Sequence, residues 1–143
     1  MADGITMTRM FGATPERVFA AWTVPRYFAE WFGTSDMPVD SVTMDLRVGG
    51  AWKATMHAPD GSTIHWAGEY TQVDPPLRLA FTMTDRPTDD ARELVTIVIS
   101  PVDDGAQMKL IQAATGFGEE QIAATVASYH LFFDDMEDVI ASM

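Results

Sequence analysis

The sequence predicts an α+β fold in which an antiparallel sheet is covered by one long C-terminal helix. Three observations lead there. Residues 119–143 carry Ile122, Val126, Tyr129, Phe133, Met136 and Ile140 at alternating steps of four and three, which places them on one face of a 3.6-residue helix. Residues 42–112 instead fall into short segments of alternating apolar and polar side chains, separated by turn signals. Ahead of that stretch lie two short helical patterns, each opened by a proline. A helix stripe with two large aromatics must be covered, and an apolar sheet face is the surface that fits it.

In chain order, residues 3–11 alternate loosely, with Ile5, Met7 and either Met10 or Phe11 apolar, and read as a first strand. Thr14-Pro15-Glu16 starts a helix: Thr14 caps, Pro15 suits the first helical position, and Glu16 complements the dipole. Its apolar side is Val18, Phe19, Ala21 and Trp22. Pro25 opens a second helix with Tyr27, Phe28, Trp31 and Phe32, which Gly33 ends. The period then changes. Val42, Met44 and Leu46 alternate with polar neighbours, Gly49-Gly50 allows a bend, and Trp52, Ala54 and Met56 alternate again.

Pro59-Asp60-Gly61-Ser62 is a turn signal leading into a strand over 63–73, which Asp74-Pro75-Pro76 ends. Leu79, Phe81 and Met83 mark the next strand. A polar loop with Arg86-Pro87-Thr88-Asp89-Asp90 leads to Val95, Ile97 and Ile99, and Asp103-Asp104-Gly105 turns the chain into Met108, Leu110 and Gln112. The sum is a meander of six strands with the first strand as a seventh. Glu119 and Glu120 then occupy the first turn of the last helix, where the dipole favours carboxylates.

No repeat, linker or low-complexity segment interrupts this order, and 143 residues fit a single domain, 1–143. No apolar run reaches the roughly 18 residues of a membrane span and no basic-then-apolar leader opens the chain, so a cytoplasmic protein without membrane insertion is expected. The absence of cysteine removes disulfides, thiolate catalysis and cysteine-type zinc sites. With a net charge of −12 and nine scattered Lys and Arg, the chain lacks the basic stripe a nucleic acid requires. No G-x-S-x-G, G-x-G-x-x-G or P-loop pattern is present, and no cofactor is called for. His57, His65 and His130 form no helical pair or compact cluster, so no metal site is expected.

Several ordered motifs carry a resemblance. Ala13-Thr14-Pro15-Glu16-Arg17-Val18-Phe19-Ala20-Ala21-Trp22, Glu30-Trp31-Phe32-Gly33, Asp45-Leu46-Arg47-Val48-Gly49-Gly50, Pro59-Asp60-Gly61, Gly68-Glu69-Tyr70, Val73-Asp74-Pro75-Pro76-Leu77-Arg78-Leu79 and Gly116-Phe117 resemble successive motifs of the domain homologous to the activator of the heat-shock protein 90 ATPase. That family belongs to the START/Bet v 1-like (SRPBCC) superfamily. The resemblance implies a helix-grip fold: a seven-stranded antiparallel sheet curled around the C-terminal helix, two short helices after the first strand, and an apolar cavity inside. Family members and relatives bind lipids, sterols or polyketides, some relatives are cyclases or hydrolases, and the eukaryotic namesake is a cochaperone. One departure stands in the last helix. The family usually has Trp preceded by Gly there, whereas here Tyr129 follows Ser128 while Phe133, Asp134 and Met136 keep the expected spacing.

The inward strand positions and the helix stripe then predict the cavity lining: Trp52, Met56, Phe81, Met83, Met108, Leu110, Gln112, Tyr129, Phe133 and Met136, joined by Trp66 and Tyr70. The middle of the stripe, Tyr129, Phe133 and Met136, is expected to face the cavity. A bulge before Trp66 would turn its strand over and bring His65 and Glu69 inward instead. Those two lie about 13 Å apart along a strand, so only a substrate between them could use both as acid and base.

The expected function is binding of a hydrophobic or amphipathic small molecule. One alternative is a cyclase or hydrolase using Glu69, His65 or Tyr129. Another, by analogy alone, is a chaperone-regulating module. A homodimer is compatible with the sequence.

Overall fold

The computed structural model describes residues 4–33, 35–86, 88, 92–114 and 116–143. Asp3 at the expected start of the first strand, and Pro87, Asp89 and Asp90 of the expected polar loop, lie outside the described residues. The chain runs β1 (Gly4–Phe11), α1 (Pro15–Thr23), α2 (Pro25–Trp31), β2 (Val39–Met44), β3 (Ala51–His57), β4 (Thr63–Asp74), β5 (Arg78–Met83), β6 (Glu93–Val102), β7 (Gly105–Ala113) and α3 (Glu119–Ala141). The strands form one antiparallel, curled sheet in the order β1-β7-β6-β5-β4-β3-β2, as the helix-grip expectation requires.

Local chemistry accounts for most boundaries. The Thr14 hydroxyl accepts from the Arg17 N–H at the head of α1, with Pro15 at the first helical position. Gly33, with φ of +123°, takes the left-handed backbone just past α2 that a side chain would resist. The β3–β4 turn is closed by the Asp60 carboxylate, which accepts from both the backbone N–H and the hydroxyl of Ser62.

One boundary departs from the alternation. The second strand was expected from Val42 through Leu46, but β2 spans Val39–Met44 and its register with β3 slips between Asp40 and Thr43. Ser41 there adopts a φ of +53°, a left-handed residue that forms the irregularity. Leu46 falls in the following loop, where it is exposed.

The inward faces are buried as the alternation predicts: Val95, Ile97 and Ile99 on β6, and Met108, Leu110 and Gln112 on β7. Trp22 of α1, Phe28 and Trp31 of α2 and Phe32 just after it meet Trp52, Phe81 and Phe133 in a continuous set of ring contacts. Trp22 and Trp31 stand edge to face with centroids 4.6 Å apart. These rings plug one end of the space between sheet and α3. Their N–H groups are satisfied: Trp22 donates to the Met108 sulfur, Trp31 to the Ala21 carbonyl and Trp52 to the Thr82 carbonyl.

Candidate functional site

Beyond the plug, a cavity of about 550 Å³ lies between the sheet and the first half of α3, which the Tyr129–Gln112 hydrogen bond bridges. Its sheet wall is Met56 of β3, Ile64 and Trp66 of β4, Met83 of β5 and Gln112 of β7, with Glu93 at the start of β6. Helix α3 supplies Gln121, Thr125, Ser128, Tyr129 and Phe132. Phe32, Gly33 and Met37 after α2 and Phe117 before α3 close the ends, and Thr84, Asp85 and Arg86 follow β5 along the rim. The volume falls in the range of small-molecule sites, roughly 300–1,000 Å³.

Five of the twelve residues expected to line a cavity stand in this wall: Met56, Trp66, Met83, Gln112 and Tyr129. Trp52, Tyr70 and Phe81 do not. They pack with Trp22, Phe28 and Met44 around a void of only about 10 Å³, because the two short helices fill that end. Met108, Leu110, Phe133 and Met136 are fully buried core, since the last two lie on the half of α3 pressed against the plug and sheet. Of the apolar helix stripe only Tyr129 stands in the wall, while Ile122 and Val126 pack against the core.

His65 and Glu69, the alternative inward set for β4, do not line the cavity. Ile64, Trp66, Gly68 and Tyr70 take the inner face of β4, which leaves His65 and Glu69 exposed on the outer one. The irregularity of β4 does exist, but it falls between Tyr70 and Gln72, beyond both residues, so it cannot exchange their face. Glu69 instead offers its backbone N–H to the Thr82 hydroxyl, and His65 lies 3.3 Å from the Thr63 hydroxyl. His57 pairs with Asp40 at 3.0 Å near the sheet edge, holding that carboxyl below its ordinary range. Among the described residues no three His, Asp or Glu side chains group as metal ligands.

The wall also holds residues outside the expected lining. Gln121, Thr125, Ser128 and Phe132 recur at steps of four, three and four, a second helix stripe beside the apolar one. Three of its members are polar. The spacing was visible; that the sheet stands away from it was not.

The polar groups of the inner wall are uncharged. The Tyr129 hydroxyl donates to the side-chain oxygen of Gln112, joining α3 to β7 where both residues are buried. Burial pushes the Tyr129 hydroxyl well above its ordinary pKa, so it stays protonated as a donor. Trp66 differs from the other tryptophans. Its N–H is buried without a hydrogen-bond partner among the described residues, and its ring stands edge to face against Phe32 at 5.6 Å. The charges that touch the cavity, Asp85, Arg86 and Glu93, all belong to the β5–β6 end. Such a space suits an apolar body with a polar group directed at the Gln112–Tyr129 pair.

The comparisons agree with this architecture. The chain is similar to a protein from Chromobacterium violaceum, with 23% identity, coverage of 98% of each chain and a TM-score of 0.85. A protein from Rhodobacter sphaeroides is similar at 21% identity, with 100% of this chain and 95% of that one covered and a TM-score of 0.83. An AHSA1-like protein from Aeromonas hydrophila shares 25% identity over 97% of this chain and 92% of its own, with a TM-score of 0.81. No curated protein matches the chain. The family model described as Activator of Hsp90 ATPase homolog 1-like protein matches residues 12–141, nearly the whole chain. The chain therefore belongs to the Activator of Hsp90 ATPase homolog 1-like family, in keeping with the START/Bet v 1-like superfamily.

Proposed function

We propose that this protein binds a hydrophobic or amphipathic small molecule between the sheet and the first half of α3. The observation that carries the reading is the cavity of about 550 Å³, walled by Phe32, Met56, Ile64, Trp66, Met83 and Phe132 and interrupted by the neutral Gln112–Tyr129 pair. The end of the interior under the two short helices is packed, with a void of only about 10 Å³. Acid–base catalysis by His65 and Glu69 loses its geometric basis, because both side chains lie on the outer face.

Native mass spectrometry of the purified protein, followed by solvent extraction and a thermal-shift panel of lipids and polyketides, tests the reading. A retained small molecule, or a panel member that raises the melting temperature, supports it. Absence of both overturns it. Recovery of a chaperone in a pulldown, with no small molecule bound, would move the reading to the activity that the family's description names.

A further inference from the structure

Resting on the binding reading above, we propose that the cavity selects an uncharged amphiphile whose carbonyl-type oxygen accepts a hydrogen bond from the side-chain amide nitrogen of Gln112. Gln112 continues the inward series of Met108 and Leu110 on β7 and is only 2% exposed. Packing alone would be served by a third apolar residue there, without the cost of desolvating an amide. Gln112 and Thr84 are the buried polar side chains among the described residues, and both line the cavity. The Thr84 hydroxyl already accepts from the Arg86 backbone N–H.

The state of the Gln112 amide defines what it can offer. Its oxygen is engaged by the Tyr129 hydroxyl, which leaves the amide nitrogen as the group it can turn to the cavity it lines. An amide nitrogen only donates, so the matching ligand atom is an acceptor. Tyr129 acts as a positioning residue, since the bond it gives the oxygen orients the nitrogen. A carboxylate placed at the same point would be desolvated beside a neutral amide and hydroxyl, the one cation among the described lining residues being Arg86, which follows β5. The geometry therefore favours a ketone, ester or amide oxygen.

Equilibrium dialysis of the whole protein against dodecane, 2-dodecanone and dodecanoate, each quantified by gas chromatography, tests this. The wild type is expected to hold 2-dodecanone more tightly than dodecanoate. In Gln112→Met the ketone should weaken by about fivefold relative to dodecane, the fold-change that one net hydrogen bond of about 1 kcal/mol produces. Tyr129→Phe should lower the ketone-to-dodecane ratio in the same direction, by releasing the amide.

The double variant Gln112→Met with Tyr129→Phe leaves no orphan hydroxyl in the core, and serves if the single variant does not fold. Ketone and dodecane affinities that change in parallel in all variants overturn the inference while leaving cavity binding intact. So does a wild type that prefers dodecanoate. Retention of none of the three probes by the wild type overturns the inference, and the binding reading falls with it only where native mass spectrometry and the thermal-shift panel are negative as well.

Discussion

The indole N–H of Trp52 on β3 reaches the carbonyl oxygen of Thr82 on β5 at 3.0 Å, passing over the intervening strand where it carries Gly68. A Cβ on Gly68 would stand 1.7 Å from that carbonyl oxygen and 2.4 Å from the indole nitrogen. The bond ties alternate strands of the sheet beneath the aromatic plug, and it exists because residue 68 has no side chain. Gly68→Ala is expected to cost about 2–4 kcal/mol through overpacking and the lost bond. A melting temperature lowered by roughly 5–15 °C checks it.

Alkaline pH should weaken the fold through its buried tyrosines. Burial raises the pKa of both Tyr70 and Tyr129. The unfolded chain therefore releases these protons near the ordinary tyrosine value, roughly 10, while the folded chain keeps them. Their contribution is complete below that pH and is lost as pH rises beyond it. Urea midpoints measured from neutral to strongly alkaline pH should fall in the wild type, and fall less steeply in Tyr129→Phe. At neutral pH the same variant should lose about 1–2 kcal/mol, since the buried Gln112 oxygen is left unpaired.

Arg9 on β1 clamps α3 by pairing with Asp134 at 2.6 Å and Glu137 at 3.2 Å, two carboxylates three residues apart on one helix face. The carboxylates are half-exposed or more, so solvent screens the attraction. Arg9→Ala should cost about 0.5–1 kcal/mol at low salt, and less in 1 M salt. Denaturant midpoints at the two ionic strengths decide it; equal losses at both would show that packing of the arginine stem, rather than charge, is what is removed.

Core and cavity should separate by mutation. Phe133 and Met136 are fully buried, so Phe133→Ala should cost about 3–5 kcal/mol and Met136→Ala about 2–5 kcal/mol. Thr125 faces the open space, and Thr125→Trp should change stability by less than about 1 kcal/mol while occluding the cavity. Thermal melts give the first comparison, and retention of a small molecule in native mass spectrometry gives the second. A Thr125→Trp protein that still retains its ligand would place the binding site elsewhere.

The sequence by itself determined the seven strands, the three helices and their order, because alternation with period two and stripes of period 3.6 are local records of which side of an element is buried. It also determined the inner face of β6 and β7, including Gln112. The slip in β2 was not legible, since a serine at a φ of +53° carries no mark that distinguishes it from a strand serine.

Only the tertiary structure decided which inward residues touch one another and which face open space. Trp52, Phe81, Met83 and Met56 are equivalent in alternation, yet the first two are packed solid under Trp22 and Phe28 while the last two wall the cavity. Tyr129 and Phe133 share one helix stripe and are divided in the same way. Periodicity records the direction in which a side chain points. How far it must travel before meeting another depends on the curl of the sheet and on where the two short helices end, and these are set by contacts between elements remote in the chain.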